Sequence, residues 1–346
     1  MALSGIQIYK LLPQTNCKDC GFPTCLAFAM KLAAKQVELA ECPHVSEEAK
    51  EQLSEAAAPP VRPITLKSNG YEVKGGNEVV LFRHEKTFYN QPGLFLRVRD
   101  TESPDAIKAK VTPADEYSVD YVGIDLSMSG ITVQADGGDF GAAVTAVREV
   151  SHRPVILIGD VQDLKAGLEK LDDGETPLLC HATLENWEDM VALAKEHSAP
   201  LAIQAGTIDE IADLAEKVTE AGVTDVVLSP QQRTMLGTLT ANTLSRRMAL
   251  KKTFRPLGFP IISFPGDVGD PDREVLLAAQ AISKYSSFIV LDHFSPAAAY
   301  PLLVVRQNIY TDPQKPIQVQ PGLYEINDPS PEDPVLVTTN FSITYF

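Results

Sequence analysis

From about residue 92 onward the chain alternates short apolar, β-branched runs with amphipathic stretches of helical length. This alternation limits the fold more than any other feature of the sequence. Strand-like runs occur at Leu94–Val98, Tyr121–Leu126 (continuing to Ile131–Ala135), Val155–Ile158, Leu178–Cys180, Leu201–Gln204, Val226–Leu228, Ile261–Phe264 and Phe288–Leu291. Helical stretches separate them: Asp139–Val150, Gln162–Leu171, Leu184–His197, Ile208–Ala221, Arg233–Lys251, Pro271–Lys284 and Pro296–Arg306. A parallel sheet needs such crossovers, so repeated βα units imply a parallel sheet with helices outside it. Eight strands over this length fit an α/β fold of the (β/α)8 TIM-barrel type. A doubly wound open sheet is the alternative. It lacks support because no Gly-x-Gly-x-x-Gly follows the first strand. Gly137-Gly138-Asp139-Phe140-Gly141 has the wrong spacing and reads as a turn and helix start.

The flanks differ from the barrel region. Residues 1–58 are Cys- and Ala-rich, with helices expected at Gly5–Leu12, Thr24–Leu39 and Ser46–Ala57. Thr24 and Ser46 are the N-cap candidates. Ala58-Pro59-Pro60-Val61-Arg62-Pro63 reads as a stiff linker. Residues 59–91 thus form a Pro-rich linker followed by a hairpin, Tyr71–Phe82, turning at Gly75-Gly76-Asn77. Residues 92–310 form the barrel. Residues 311–346, rich in proline, form an extended segment closing with a β run, Val335–Phe346.

Four of the five cysteines crowd into the first domain as Cys17-x2-Cys20-x4-Cys25-x16-Cys42. Four thiolates are the usual ligand set of a 4Fe–4S cluster, and the close spacing of the first three lets one loop wrap it. A structural zinc site is the alternative, although zinc ribbons usually pair two Cys-x2-Cys knuckles and only one is present. Unligated thiols are the third possibility. Cys180 lies in a barrel strand and reads as a buried small hydrophobe.

Charge excludes further classes. The chain of 346 residues carries 30 Lys and Arg against 46 Asp and Glu, a net −16, which argues against a nucleic-acid partner. No apolar run approaches the roughly 20 residues of a membrane span. The N-terminus lacks the basic and apolar regions of a secretory signal, so a cytoplasmic location is expected.

The stretch LPQTNCKDCGFPTCLAFAMKLA, residues 12–33, closely resembles the iron–sulfur module of the corrinoid/iron–sulfur protein large (gamma) subunit of the reductive acetyl-CoA (Wood–Ljungdahl) pathway and acetyl-CoA decarbonylase/synthase complexes. ECPHVSEEAKEQLSEAAAPPV, LFRHEKTFYN, RQNIYTDPQKPIQV and VTTNFSITYF extend the likeness along the whole chain. The resemblance implies a methyl-carrier subunit with two cofactors, a 4Fe–4S cluster on Cys17, Cys20, Cys25 and Cys42 and a cobalt corrinoid. In that family a methyltransferase moves the methyl of methyltetrahydrofolate to cobalt, and acetyl-CoA synthase receives it. The cluster returns oxidised Co(II) to Co(I). The implied partners are a small barrel subunit forming a heterodimer, the methyltransferase, acetyl-CoA synthase and a reductive activator. Catalysis by the chain alone is not implied. The family carries a C-terminal corrinoid-binding domain after the segment resembling VTTNFSITYF, so a truncated or absent corrinoid domain is expected here.

Alternation along the last run places Thr338, Asn340, Ser342 and Thr344 on one face of a strand. The resemblance favours corrinoid contacts for this row over a solvated sheet edge. At the C-terminal ends of the barrel strands, where barrel sites form, stand Asp100, Asp160, His181, Gln204, Ser229, Gly266 and Asp292-His293. They show no recognisable acid/base or metal spacing. Two alternative functions follow: a methyltetrahydrofolate-type methyltransferase barrel, and an electron-transfer iron–sulfur protein without corrinoid.

Overall fold

The computed structural model describes residues 5–33, 37, 39–46, 49–50, 59–312 and 318–345. It divides into two compact units, Met1–Pro60 and Val61–Phe346.

In the first unit, helices Gly5–Leu11 and Cys25–Ala33 and a 3-10 turn at Leu39–Glu41 surround a small core. Ile8, Leu12, Phe28, Ala29 and Val45 fill it together with Cys25 and Cys42. Thr24 caps the second helix, its Oγ accepting the Ala27 N–H at 3.1 Å. Of the helix expected over Thr24–Leu39, residues 25–33 are helical, and 34–36 and 38 lie outside the described residues. Most of the helix expected at Ser46–Ala57 also lies outside them. Its first cap is present, with the Ala49 N–H donated to Ser46 Oγ at 3.2 Å.

The second unit opens with an antiparallel hairpin, β1 (Ile64–Ser68) and β2 (Tyr71–Gly75). The turn is therefore Asn69-Gly70 rather than Gly75-Gly76-Asn77. Both turn residues have positive φ, 42° and 88°, the conformation that Asn-Gly supplies cheaply in a two-residue hairpin. Eight parallel strands then close a barrel in sequence order: β3 (Gly93–Arg99), β6 (Gly130–Gln134), β7 (Val155–Ile158), β8 (Leu178–Ala182), β9 (Leu201–Ala205), β10 (Val226–Pro230), β11 (Ile261–Ser263) and β12 (Ser286–Leu291). β12 returns to β3, pairing Phe288 with Gly93 and Leu291 with Leu96.

Side-chain alternation sorts each strand into two layers. Leu94, Leu96 and Val98 pack outward into the helix layer. Phe95, Ile156, Leu178, Cys180, Ala202, Val227, Phe288 and Val290 fill the barrel interior. Cys180 is fully buried there, and burial raises its thiol pKa well above the ordinary range. Ile64, Leu66 and Val73 of the hairpin join the same interior cluster, so the hairpin stoppers the N-terminal end of the barrel. Gly130 must lack a side chain there: a Cβ would stand 2.4 Å from the Phe95 ring.

Three further expectations are corrected. The second barrel strand is Gly130–Gln134, not Tyr121–Leu126. Positive φ at Val122 and Gly123 turns the earlier run into a ribbon of β4 (Ser118–Asp120) and β5 (Asp125–Ser127). A helix, Pro104–Asp115, was not expected; Ser103 caps it, Pro104 opens it, and Ile107, Val111 and Ala114 are buried. Over its described residues, 335–345, the run expected as the strand Val335–Phe346 is not one. Phe341 makes one isolated bridge to Gln318, and Ser342–Tyr345 forms a single helical turn.

Candidate metal centre and barrel mouth

The loop from Pro13 to Thr24 carries Cys17 and Cys20, and the following helix begins on Cys25. Cys42 follows the 3-10 turn, its N–H donated to Leu39 O at 3.1 Å. The thiols run from exposed Cys17 through half-buried Cys20 to buried Cys25 and Cys42. Burial raises the Cys42 pKa, the His44 N–H draws it back, and charge on Cys20, Cys25 and Cys17 raises it further.

Among the described residues, Cys17, Asp19 and His44 form the group whose ligand atoms all lie within 4.8 Å of one another. The four free thiols Cys17, Cys20, Cys25 and Cys42 are the donor set that a 4Fe–4S cluster takes. His44 Nε2 lies 2.5 Å from Asp19 Oδ2. Hydrogen bonds from His44 and from the Cys17 thiol hold the Asp19 carboxyl below its ordinary pKa.

The four C-terminal polar residues do not share a face. Thr338 is exposed, and Asn340 is half-buried with its Nδ2 donating to Val319 O at 3.4 Å. Ser342 is 1% exposed and its Oγ has no partner among the described residues. Thr344 Oγ1 turns back to Thr339 Oγ1 at 2.6 Å and Phe341 O at 2.8 Å.

At the C-terminal end of the barrel, Arg97 is the central residue, although nothing in its sequence surroundings marks it. It is 4% exposed and inward-facing on β3. Its guanidinium reaches Asp292 Oδ1 at 2.6 Å, Asp267 Oδ1 at 2.7 Å and Gln134 Oε1 at 2.9 Å. Burial opposes the charge, but the two aspartates outweigh it and raise the arginine's pKa above its ordinary value. Arg99 donates to Asp292 Oδ2 at 3.0 Å and pairs with Asp136 at 3.3 Å. Arg233 pairs with Asp267. Three arginines and three aspartates thus compensate one another across the mouth.

The mouth residues named from sequence meet this network unevenly. Asp292 is in it, and Gly266 packs so closely that a Cβ would stand 2.6 Å from Asp292 Oδ1. Asp100 accepts the Asp136 N–H at 2.7 Å. Gln204 bonds Ser229 Oγ at 3.4 Å and accepts from Gln231 at 3.1 Å. Asp160 instead caps the helix Val161–Leu168. His293 Nδ1 lies 2.6 Å from Oε2 of buried Glu274, whose other oxygen takes the Asp292 and His293 N–H groups. His181 stacks edge-on against Phe264 at 5.3 Å. Burial, aided by the Arg233 charge, lowers its pKa to about 3, so its ring stays neutral, and Nε2 has no partner.

The sequence matches the family model described as CO dehydrogenase/acetyl-CoA synthase delta subunit over residues 63–346. A second model, described as a putative Fe-S cluster, matches residues 12–44 and so contains all four N-terminal cysteines. The corrinoid/iron-sulfur protein large subunit of Moorella thermoacetica is 41% identical over 350 residues, spanning 100% of this chain and 78% of that protein. The chain belongs to the corrinoid/iron–sulfur protein large-subunit family. An acetyl-CoA decarbonylase/synthase complex subunit gamma from Methanopyrus kandleri is 36% identical over 99% of this chain and 77% of its own length. A dihydropteroate synthase structure from Thermus thermophilus aligns with 71% of this chain and 100% of its own, at a TM-score of 0.48 and 18% identity. Membership of this family brings the two units of the chain under one description, an iron–sulfur module joined to a barrel. Among the described residues no helix is long and apolar enough to cross a membrane.

Proposed function

We propose that this chain is the methyl-carrier subunit of a corrinoid methyl-transfer system. With a small barrel subunit it holds a cobalt corrinoid, accepts a methyl group from methyltetrahydrofolate through a methyltransferase, and passes it to acetyl-CoA synthase. Cys17, Cys20, Cys25 and Cys42 hold a 4Fe–4S cluster, which supplies the electron that returns cobalt from Co(II) to Co(I). A reductive activator feeds that electron, and the work is done in the cytoplasm. The observation carrying this reading is the end-to-end likeness to a protein named for both cofactors. The iron–sulfur family match over residues 12–44, which contains all four cysteines, supports the cluster assignment.

The barrel mouth favours a carrier over a methyltransferase barrel. Its charged groups hold one another in a closed network, and a catalytic acid or base has to meet the reacting group instead. Thr338, Asn340, Ser342 and Thr344 are offered as corrinoid contacts on the family resemblance alone.

The test is anaerobic purification of the chain with its native partner, followed by visible and EPR spectra before and after a low-potential reductant. The carrier reading expects a cluster signal together with Co(II) and Co(I) bands. Cluster without cobalt in the assembled complex would leave an electron-transfer protein. Tight pterin binding by this chain alone would favour the methyltransferase, and zinc without iron would remove the central assignment.

A further inference from the structure

Asn16 stands immediately before the first cysteine and is not itself a ligand in the reading above. Its backbone is left-handed, φ 51°. Its side-chain Oδ1 accepts the backbone N–H of Cys25 at 2.8 Å. One residue therefore sets the chain direction into Cys17 and ties down the backbone of Cys25, nine positions away. The ring closed by this bond contains Cys17 and Cys20 and ends on Cys25, so three of the four ligands lie in it or at its edge.

The local chemistry explains why asparagine stands here. Side chains larger than glycine resist the left-handed region, and asparagine and aspartate resist it least because a short polar group bonds locally. Gln14 and Lys18 are also left-handed, at 56° and 72°, so left-handed residues alternate through the loop. Anion-binding backbone nests are built from this kind of alternation. The Cys25 N–H is also among the first amides of a helix and has no acceptor within the helix. Asn16 supplies that acceptor from across the loop, while Thr24 serves the Ala27 N–H.

We infer that Asn16 is a positioning residue for the cluster, holding Cys17 and Cys25 at their mutual spacing through a left-handed backbone and one side-chain bond. The inference rests on the reading that the four cysteines hold a 4Fe–4S cluster.

Three variants of the full chain separate the two roles. Asn16→Gly keeps the left-handed backbone and removes the bond. Asn16→Asp keeps both. Asn16→Ala removes both. After anaerobic reconstitution, the rate of iron release to a coloured ferrous chelator is measured beside the EPR spectrum of the reduced cluster. Iron release should rise roughly tenfold in Asn16→Ala and about fivefold in Asn16→Gly, and stay within about threefold of wild type in Asn16→Asp. The clusters retained by Asn16→Ala should show shifted g values, because Cys25 is displaced; a loop that merely folds less often would lower iron content with g values unchanged. Wild-type release rates in Asn16→Ala would overturn the inference. So would a slow Asn16→Gly beside a fast Asn16→Ala, which leaves the bond without effect. If Asn16→Ala does not fold, the Gly and Asp pair decides alone. Wild-type protein lacking a 4Fe–4S spectrum would instead sink the cluster reading beneath it.

Discussion

Single residues at the barrel mouth behave in ways their neighbours in sequence do not announce. His181 is held neutral because its Nε2 is shut from solvent and arginines stand nearby. Its pKa falls from 6.5 to about 3 in the folded protein. Between those values the unfolded chain binds a proton that the folded chain does not, so stability rises with pH there. The stabilisation is complete above pH 6.5 and is lost as pH falls toward 3. From pH 7 to pH 5 the loss reaches at most about 2 kcal/mol, discounted because the residue as a whole is only half-buried. His181→Gln should shrink that difference, read from urea unfolding at the two pH values; an unchanged difference would count against a neutral ring. Arg97→Ala should cost about 3 kcal/mol, since Asp292 and Asp267 lose their buried partner. A loss under about 1 kcal/mol in the same experiment would mean that Arg99 and Arg233 suffice.

Elements were legible where their signals were local. The strands from Val155 onward and the helices between them stand where alternation placed them, because each buries a face whose period is written in a few residues. The helix Pro104–Asp115 carries Pro113 in its interior, against the ordinary helix signal, although a first-turn proline after serine is a helix start. The hairpin turns at Asn69-Gly70, upstream of the expected Gly75-Gly76-Asn77. Its role could not be read at all, since a two-stranded ribbon is stable only against something else. Leu66, fully buried in the barrel interior, is the measure of that role. Leu66→Ala should destabilise the barrel by about 2 to 5 kcal/mol, whereas Lys67→Ala, on the exposed face, should stay within about 0.5 kcal/mol. Equal effects in chemical denaturation would mean that the hairpin does not stopper the barrel.

At the scale of the whole molecule, the proposed cluster makes one unit depend on metal and leaves the other independent of it. The first unit has a small core beside its four thiols, whereas the barrel has a continuous interior. Metal binding to such a site is folding energy for that site alone. Removing iron with a chelator should therefore abolish amide-exchange protection in residues 5–46 and leave protection across β3 and β6–β12 unchanged, as read by hydrogen–deuterium exchange. Loss of protection in the barrel strands would show that the units fold as one.

Sequence alone determined the ligand spacing of the cysteine loop and the alternation that demands a parallel barrel. Both are short-range patterns, set by loop reach and by the periods of helix and strand. Only the tertiary structure decided what occupies the barrel mouth. Arg97, Gln134, Asp267 and Asp292 come from four widely separated segments and meet because β12 closes onto β3. It also decided the terminal segment, where polar alternation suited a strand but, among the described residues, pairing extended no further than the bridge from Gln318 to Phe341. A strand needs a partner along its length, and no residue pattern within the segment can supply one.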